Sequence, residues 1–588
     1  MMMTASDMER SPPDTHSSDS SPASSAPPTS APSPAPNTSP FSSSPSSPRR
    51  CSSPTSSSDA DADAALPANK TLFQGFEWYC PADHKHWRRL EGAVPALAEM
   101  GITCLWIPPA CKACWGGSTG YDAYDLYDLG EFDQKGGVRT KYGTKEELQR
   151  LVARAGAAGV DVLFDVIVNH KAGAEYTEPV RGVRVEQYDR LKEVTGRLED
   201  IEAWTGFDYP ARGDKYSSFK WNWSHFSGVD FDEKTKDHAI WRLEGKRWAH
   251  DADEDRGNYD YLMFANIDHL HPDVREELLS WISWLSSQLR LGGIRFDATK
   301  HISKDFQWEF VSHIKQVVSP DWLIIGEYWH LNAGFLAGLI ERFDHQMMLF
   351  DIPLVHNFRD LSEAPEWEAD LRTVFDGSLG RLKPGHSVSF VVNHDTTLVE
   401  PWFVPLAYAL ILLYEGTGTP CVFYGDLYGS FGPKGGRGEG TLELPPHHAG
   451  VARMVLARRH YAYGAQTEYF DGPRCVGFTR HGDALRSAGA GLAVLLNASS
   501  SRQRAEKTMY VGTQHAGECW TDILGASGGQ EDGVVIDEHG FATFSAGPRS
   551  VAIWVDATAE ARDVVDNFQL DHDIYGFVES EKMDGSQD

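Results

Sequence analysis

Long apolar runs are missing from this sequence. None reaches the roughly 20 residues that span a bilayer, and none near the N-terminus resembles the hydrophobic segment of a secretory signal. Neither membrane insertion nor export is expected, so a cytoplasmic location is the expectation. Cysteine is sparse as well: eight thiols lie scattered from Cys51 to Cys519 without a dense framework, as suits free thiols in a reducing compartment. Cys111 and Cys114 in "CKAC" have the spacing of half a zinc site, but no second CxxC or HxxxH answers them. Positive charge is short too, with 54 Lys and Arg against 84 Asp and Glu, a net charge of −30. Such a field repels nucleic acid and anionic membrane surfaces, and no basic patch longer than "PRR" offsets it. A neutral substrate or a bound cation fits the sign better.

The chain has 588 residues, including 18 Trp, enough for a large domain with smaller ones attached. Residues 1–66 are nearly all Ser, Pro, Ala, Thr and Asp and cannot bury enough apolar area to offset chain entropy, so a disordered arm is expected there. Its repeated Ser-Pro pairs are candidate phosphorylation sites. From 557 to 588 the composition turns polar and acidic, which predicts a tail. Between these ends, apolar runs suited to buried parallel strands alternate with stretches of helical period. The runs are 71–78, 102–109, 160–170, 292–301, 322–329, 346–354, 388–395 and 419–426. Helices are predicted over 143–159, 272–289, 305–318 and 401–416.

Eight strand-then-helix repeats predict an α/β chain folded as a (β/α)₈ TIM barrel, with its active site at the strands' C-terminal ends. The barrel is expected over 67–170 and 266–464. The connection at 171–265 is far too long for a simple loop and reads as an inserted subdomain. The short alternating runs over 465–556 read as an all-β C-terminal domain.

Charged and imidazole residues collect where several runs end: Asp165, Asn169 and His170; Arg295, Asp297, Lys300 and His301; Glu327; His394 and Asp395. Each group alone has an ordinary structural reading, as a helix cap, an ion pair or a core histidine. Together a barrel would bring them into one funnel, where crowded carboxylates are costly unless a metal or a reaction needs them. Two carboxylates about 5 Å apart are what retaining glycoside cleavage requires. Arg295 shares a strand face with Asp297 and should keep it ionised as the nucleophile. Glu327, in the apolar "IIGEYW", should be desolvated as a general acid requires. Asp395 is the third carboxylate, placed to bond sugar hydroxyls and support the transition state.

The segments "DVIVNH" (165–170), "GIRFDATKH" (293–301), "GEYW" (326–329) and "VVNHD" (391–395) resemble, in order and spacing, the four signature segments of the α-amylase family of glycoside hydrolases. Through "GYDAYDLYDLGEFDQKGGVRTKYGTKEEL" (120–148), "GNYDYLMFANIDHLHPDV" (257–274) and "RRHYAYGAQ" (458–466), the resemblance is closest to bacterial liquefying-type α-amylases and their intracellular fungal relatives. It covers nearly all of residues 70–556. It implies Asp297 as nucleophile, Glu327 as acid/base and Asp395 as transition-state stabiliser. Arg295 then orients Asp297, His170, Lys300, His301 and His394 contact sugar hydroxyls, and Tyr121 stacks on a sugar ring. The family also implies one structural Ca²⁺ held by Asn169, Asp260, the residue at 266 and the His301 carbonyl. Position 266 is Asn here where close relatives carry Asp, and the extra acids of a multi-ion cluster stand as Ser227 and Ala249. A single ion with less ligand charge is therefore expected.

The expected activity is endo-hydrolysis of α-1,4-glucosidic bonds in starch, glycogen or maltooligosaccharides. A 4-α-glucanotransferase would use the same carboxylates. A non-catalytic glucan-binding protein would not need all three. A monomer acting on α-glucan is expected.

Overall fold

The computed structural model describes residues 69–431, 442–483, 489–530 and 532–576. The arm expected over 1–66 and the last part of the expected tail, 577–588, lie outside the described residues.

Eight parallel strands close the barrel. They are β1 (Leu72–Gln74), β2 (Cys104–Trp106), β3 (Asp161–Val166), β4 (Gly293–Phe296), β5 (Leu323–Gly326), β6 (Met348–Phe350), β7 (Ser387–Ser389) and β8 (Thr419–Phe423). Each is followed by a helix: α1 (His86–Met100), α2 (Lys145–Ala157), α3 (Pro272–Gln288), α4 (Lys304–His313), α5 (Ala333–Arg342), α6 (Ile352–Glu363), α7 (Val404–Leu413) and α8 (His448–His460). Every strand falls inside or within one residue of its expected apolar run but is shorter. The polar residues that end each run step out of the hydrogen-bonded wall into the following loop, so the chemistry leaves the barrel at one rim.

Local signals explain the element ends. Thr144 caps α2 with its hydroxyl on the Glu147 N–H, and Glu147 answers the Thr144 N–H, a reciprocal capping box. Pro272 begins α3, where its missing N–H has no intrahelical partner to lose. Gly293 admits close strand contact: a Cβ there would stand 1.9 Å from the Leu323 carbonyl oxygen, so β4 and β5 pair at that point only around glycine. Helix α7, "VPLAYALILL", is apolar on every face, and nearly all of it is buried beside the barrel wall and the C-terminal sheet.

The insertion between β3 and α3 folds as an antiparallel sheet. Its strand order is His170–Lys171, Ala265–Ile267, Phe226–Asp232, Asp237–Leu243, Tyr176–Val185 and Glu193–Gly206. The first two strands link it to the barrel rim, and Asn266 pairs opposite His170. After α8, antiparallel strands from Gln466–Tyr469 to Ser550–Asp556 build a C-terminal β-domain. Beyond it the chain differs from a simple tail. Residues Arg562–Asn567 form a helix, and Val565, Leu570 and Ile574 are buried in the same core as the barrel. The Tyr575 hydroxyl stands 3.1 Å from the Tyr424 hydroxyl, and its ring receives the Arg89 guanidinium.

Candidate active site

The centre of the funnel is a single guanidinium. Arg295, near the end of β4, is 1% exposed and reaches three carboxylates: Nη1 lies 2.7 Å from both Asp165 Oδ1 and Asp297 Oδ1, and Nη2 lies 2.8 Å from Glu327 Oε2. The fork fits because its N–H groups are planar and fixed in direction. Asp165, at the end of β3, also accepts from Trp106 Nε1 at 3.0 Å and from the Tyr121 hydroxyl at 2.9 Å. It thereby ties the cation to the aromatic wall.

Asp297 follows β4 directly, and the next residue, Ala298, has φ of 50°, a left-handed conformation unusual for a residue with a Cβ. That turn aims the Ala298 N–H at Glu327 Oε2, 3.2 Å away. Glu327 Oε1 accepts from Trp329 Nε1 at 3.0 Å. The site at Glu327 is therefore not the dry apolar slot expected from "IIGEYW": each carboxylate oxygen meets donors. Burial pushes Asp297 well above the ordinary carboxylate range. The charges of Glu327, Asp165 and Asp395 add to that, while Arg295 opposes it. Asp165 is raised for the same leading reason. Asp395, in the loop after β7, is raised to about 7 by desolvation and then by Glu327. Asp297, expected to be kept ionised by Arg295, is thus pulled both ways: the guanidinium favours the charged form that burial and the acidic neighbours disfavour.

His394 lies at the crossing of three elements. Its Nδ1 is 2.8 Å from Gln74 Nε2, its Nε2 is 3.3 Å from Asp395 Oδ2, and its ring stacks 5.1 Å from Tyr121. Trp78 stacks on Tyr121 at 5.7 Å, which extends the platform. Gln74 and Trp78 were not singled out as site residues from sequence, and Asp165 was named only among the charged residues at the strand ends, without a role. For Trp78 the signal was the aromatic at the end of the first apolar run. Burial lowers His394 well below its ordinary value, His170 to about 4 and His301 to about 3. All three rings are neutral at pH 7.

Other expected contacts have different surroundings. His170 is buried with Nε2 2.7 Å from the Tyr121 carbonyl and Nδ1 3.2 Å from Asn169 Oδ1, so it braces the loop that presents Tyr121. Lys300 donates to Asp255 and, at 3.1 Å, to the Trp329 carbonyl. His301 Nδ1 meets the Tyr259 carbonyl at 2.7 Å.

The residues expected to hold a cation form two pairs. Asn169 Nδ2 donates to the His301 carbonyl at 3.1 Å, and Asn266 Nδ2 lies 3.3 Å from Asp260 Oδ2 and 2.9 Å from Ser227 Oγ. Asp260 is raised to about 8, chiefly by burial, and Asn266 Oδ1 is buried without a hydrogen-bond partner. A buried carboxylate with an orphaned oxygen beside it suits a hard, oxygen-seeking cation.

Residues 91–466 match the model of the α-amylase catalytic domain, and residues 492–555 match that of the α-amylase C-terminal domain. The chain belongs to the α-amylase family. It is an α-amylase-type glycoside hydrolase, in a family that is generally calcium-binding. An α-amylase of Bacillus licheniformis is 42% identical over 501 residues, 84% of this chain and 95% of that protein. A cytoplasmic α-amylase of Escherichia coli (strain K12) is 39% identical over 500 residues, 83% and 99% of the two chains. A crystal structure of the Geobacillus thermoleovorans α-amylase complexed with acarbose superposes with a TM-score of 0.55 at 16% identity, over 83% of this chain and 98% of that one, a likeness of fold. Among the described residues no helix is long and apolar enough to cross a membrane, and the described cysteines, Cys111 and Cys114 included, are free thiols.

Proposed function

We propose that this protein cleaves α-1,4-glucosidic bonds within starch, glycogen or maltooligosaccharides, with retention, through a glycosyl ester on Asp297. The observation that carries the assignment of roles is the Arg295 fork, which holds Asp297 and Glu327 on adjacent arms. That neighbourhood suits the separation of about 5 Å used in retaining cleavage.

In the first step an Asp297 oxygen attacks the anomeric carbon while Glu327 gives its proton to the glycosidic oxygen, and the bond between carbon and leaving oxygen breaks. Glu327, now ionised, takes a proton from water. The water oxygen attacks the same carbon and releases Asp297. Glu327, on the other arm of the Arg295 fork, is the donor for the acid step. Asp395 bonds sugar hydroxyls and steadies the oxocarbenium-like transition state. His394 and His301, neutral by burial, and Lys300 contact hydroxyls. Tyr121 and Trp78 offer their faces to the C–H side of a pyranose. His170 acts by holding the Tyr121 loop.

One Ca²⁺ would be held by Asp260, Asn169, Asn266 and the His301 carbonyl. It would join the inserted sheet to the rim near Lys300 and His301 by charge alone, with low affinity for want of a second acid. A cytoplasmic location and a monomeric state complete the reading. The likeness to a relative named as cytoplasmic supports the location.

Product analysis on maltoheptaose tests the reading. Wild-type protein yields shorter products only, and Glu327→Gln lowers the rate by about 10³. Products longer than the substrate would make the enzyme a transferase, and an unchanged Glu327→Gln rate would refute the catalytic roles.

A further inference from the structure

The last strand of the C-terminal β-domain ends at Asp556, and the match to the family's C-terminal domain ends at 555. Residues 557–576 then run back to the barrel. Val565, Leu570 and Ile574 are buried in the barrel's own core, and that loss of apolar surface to water fixes the course of the segment. His572 Nδ1 donates to the Leu427 carbonyl at 3.0 Å, and its ring meets that of His448 edge-on at 4.3 Å, so the segment crosses the short helix Tyr424–Tyr428 that follows β8. A turn then closes on Gly576, whose N–H donates to the Asp573 carbonyl at 3.1 Å and to Asp573 Oδ1 at 2.8 Å. That turn presents Tyr575.

Tyr575 sits near the seam where β1 pairs with β8 and closes the barrel. Its hydroxyl lies 3.1 Å from that of Tyr424, directly after β8, and its ring meets Phe431 edge-on at 5.1 Å. The Arg89 guanidinium, on α1, lies 4.7 Å from the centre of the same ring, a contact strengthened where water is excluded. Arg89 is 4% exposed and grips both oxygens of Asp83, Oδ1 at 2.8 Å. Asp83 belongs to residues 75–85, which join β1 to α1 without helix or strand. The same loop carries Trp78, the indole stacked on Tyr121, and Lys141 Nζ donates to the Trp78 carbonyl at 3.2 Å. Burial raises the Tyr575 hydroxyl, and the nearby Cys80 and Glu77 of this loop add to it. A stacking platform binds best when its ring is held before the sugar arrives, because ordering it on binding costs affinity. The loop has no regular element to hold Trp78, and the line Tyr575, Arg89, Asp83 supplies that hold from outside.

We infer that residues 557–576 form a strap that sets the affinity of the catalytic cleft, with Tyr575 as a positioning residue that holds the loop 75–85 and, through it, the Trp78 platform. The inference rests on the α-glucan reading above and deepens it. Steady-state kinetics on maltoheptaose test it, with urea denaturation of each variant alongside. Tyr575→Ala raises KM about fivefold, as expected for one misplaced stacking contact, and leaves kcat within about twofold because it touches no reacting group. Tyr575→Phe keeps the ring beside Arg89 and holds KM within about twofold of wild type. Trp78→Ala raises KM at least as much, and adding Tyr575→Ala to it raises KM no further, since one residue acts through the other. Should Tyr575→Ala not fold, Tyr575→Leu, which keeps apolar bulk without a ring face, has the same expected outcomes. A wild-type KM with only a lowered urea midpoint would reduce the strap to a structural role and overturn the inference. So would a rise in KM that multiplies with that of Trp78→Ala, or a lower KM or higher kcat in Tyr575→Ala, which would show the strap obstructing the cleft. A wild-type KM in Trp78→Ala, where the strap is intact, would remove the platform and the inference with it. Failure of the α-glucan reading itself would appear separately, as wild-type protein that leaves maltoheptaose intact.

Discussion

Replacing Arg295 with Met removes the one positive charge at the centre of the carboxylate cluster while keeping an unbranched side chain. The guanidinium contacts Asp297 at 2.7 Å, which places the two charge centres about 4 Å apart. At an effective dielectric constant of 20 that interaction is worth about 4 kcal/mol. At 1.36 kcal/mol per pH unit, its loss moves ionisation of Asp297 upward by about three pH units. Only the ionised carboxylate attacks carbon, so kcat/KM on maltoheptaose at pH 7 falls by about 10³, and the acid limb of the pH–rate profile moves toward alkali. Stability falls less than the loss of three buried contacts suggests. The carboxylates can take up protons in place of the cation, and about 3 kcal/mol by urea denaturation is expected, near the lower end for a broken buried pair. Arg295→Lys restores charge but not the fork and recovers activity only in part. A kcat/KM within threefold of wild type, with an unmoved acid limb, would refute the idea that this guanidinium sets the ionisation of the nucleophile.

Glu77 gives a pH-dependent test of stability away from the chemistry. Burial raises it from its ordinary 4.5 to about 7, so its proton is kept longer in the folded chain than in the unfolded one. The favourable contribution is complete below pH 4.5, is lost as pH rises through 7, and amounts to about 3 kcal/mol. Glu77→Gln is therefore expected to raise the urea midpoint at pH 8 and to leave it unchanged at pH 4. An equal gain at both pH values would show that the charge is not the cause. At the cation site, Asn266→Asp adds a second acid, and titration calorimetry is expected to record one Ca²⁺ bound more tightly than in the wild type. Two or more tight ions in the wild type would contradict the single-ion reading.

Much of this molecule was legible because a barrel converts strand endings into neighbours. Asp165, the Arg295–Asp297 pair and Glu327 lie far apart in sequence, yet each stands at the end of an apolar run, and parallel pairing of β3, β4 and β5 puts those endings side by side. What spacing could not show was which group each nitrogen or oxygen meets. His170 follows an apolar run as His394 does, but both of its nitrogens turn to the Tyr121 loop and Asn169, whereas His394 faces Asp395. Gln74 and Trp78 matter through loops that cross the rim, and no periodicity reports such crossings. The apolar surroundings expected for Glu327 were a sound inference from "IIGEYW" and were incomplete for the same reason. The strained turn at Ala298 and the indole of Trp329 bring donors from outside that run. At the C-terminus the error ran the other way. Acidic composition concealed Val565, Leu570 and Ile574, whose spacing fits neither a strand nor a long helix but still anchors the chain to the barrel core. Average composition predicts whether a segment can form its own core. It does not predict whether a few apolar residues will join a core that already exists.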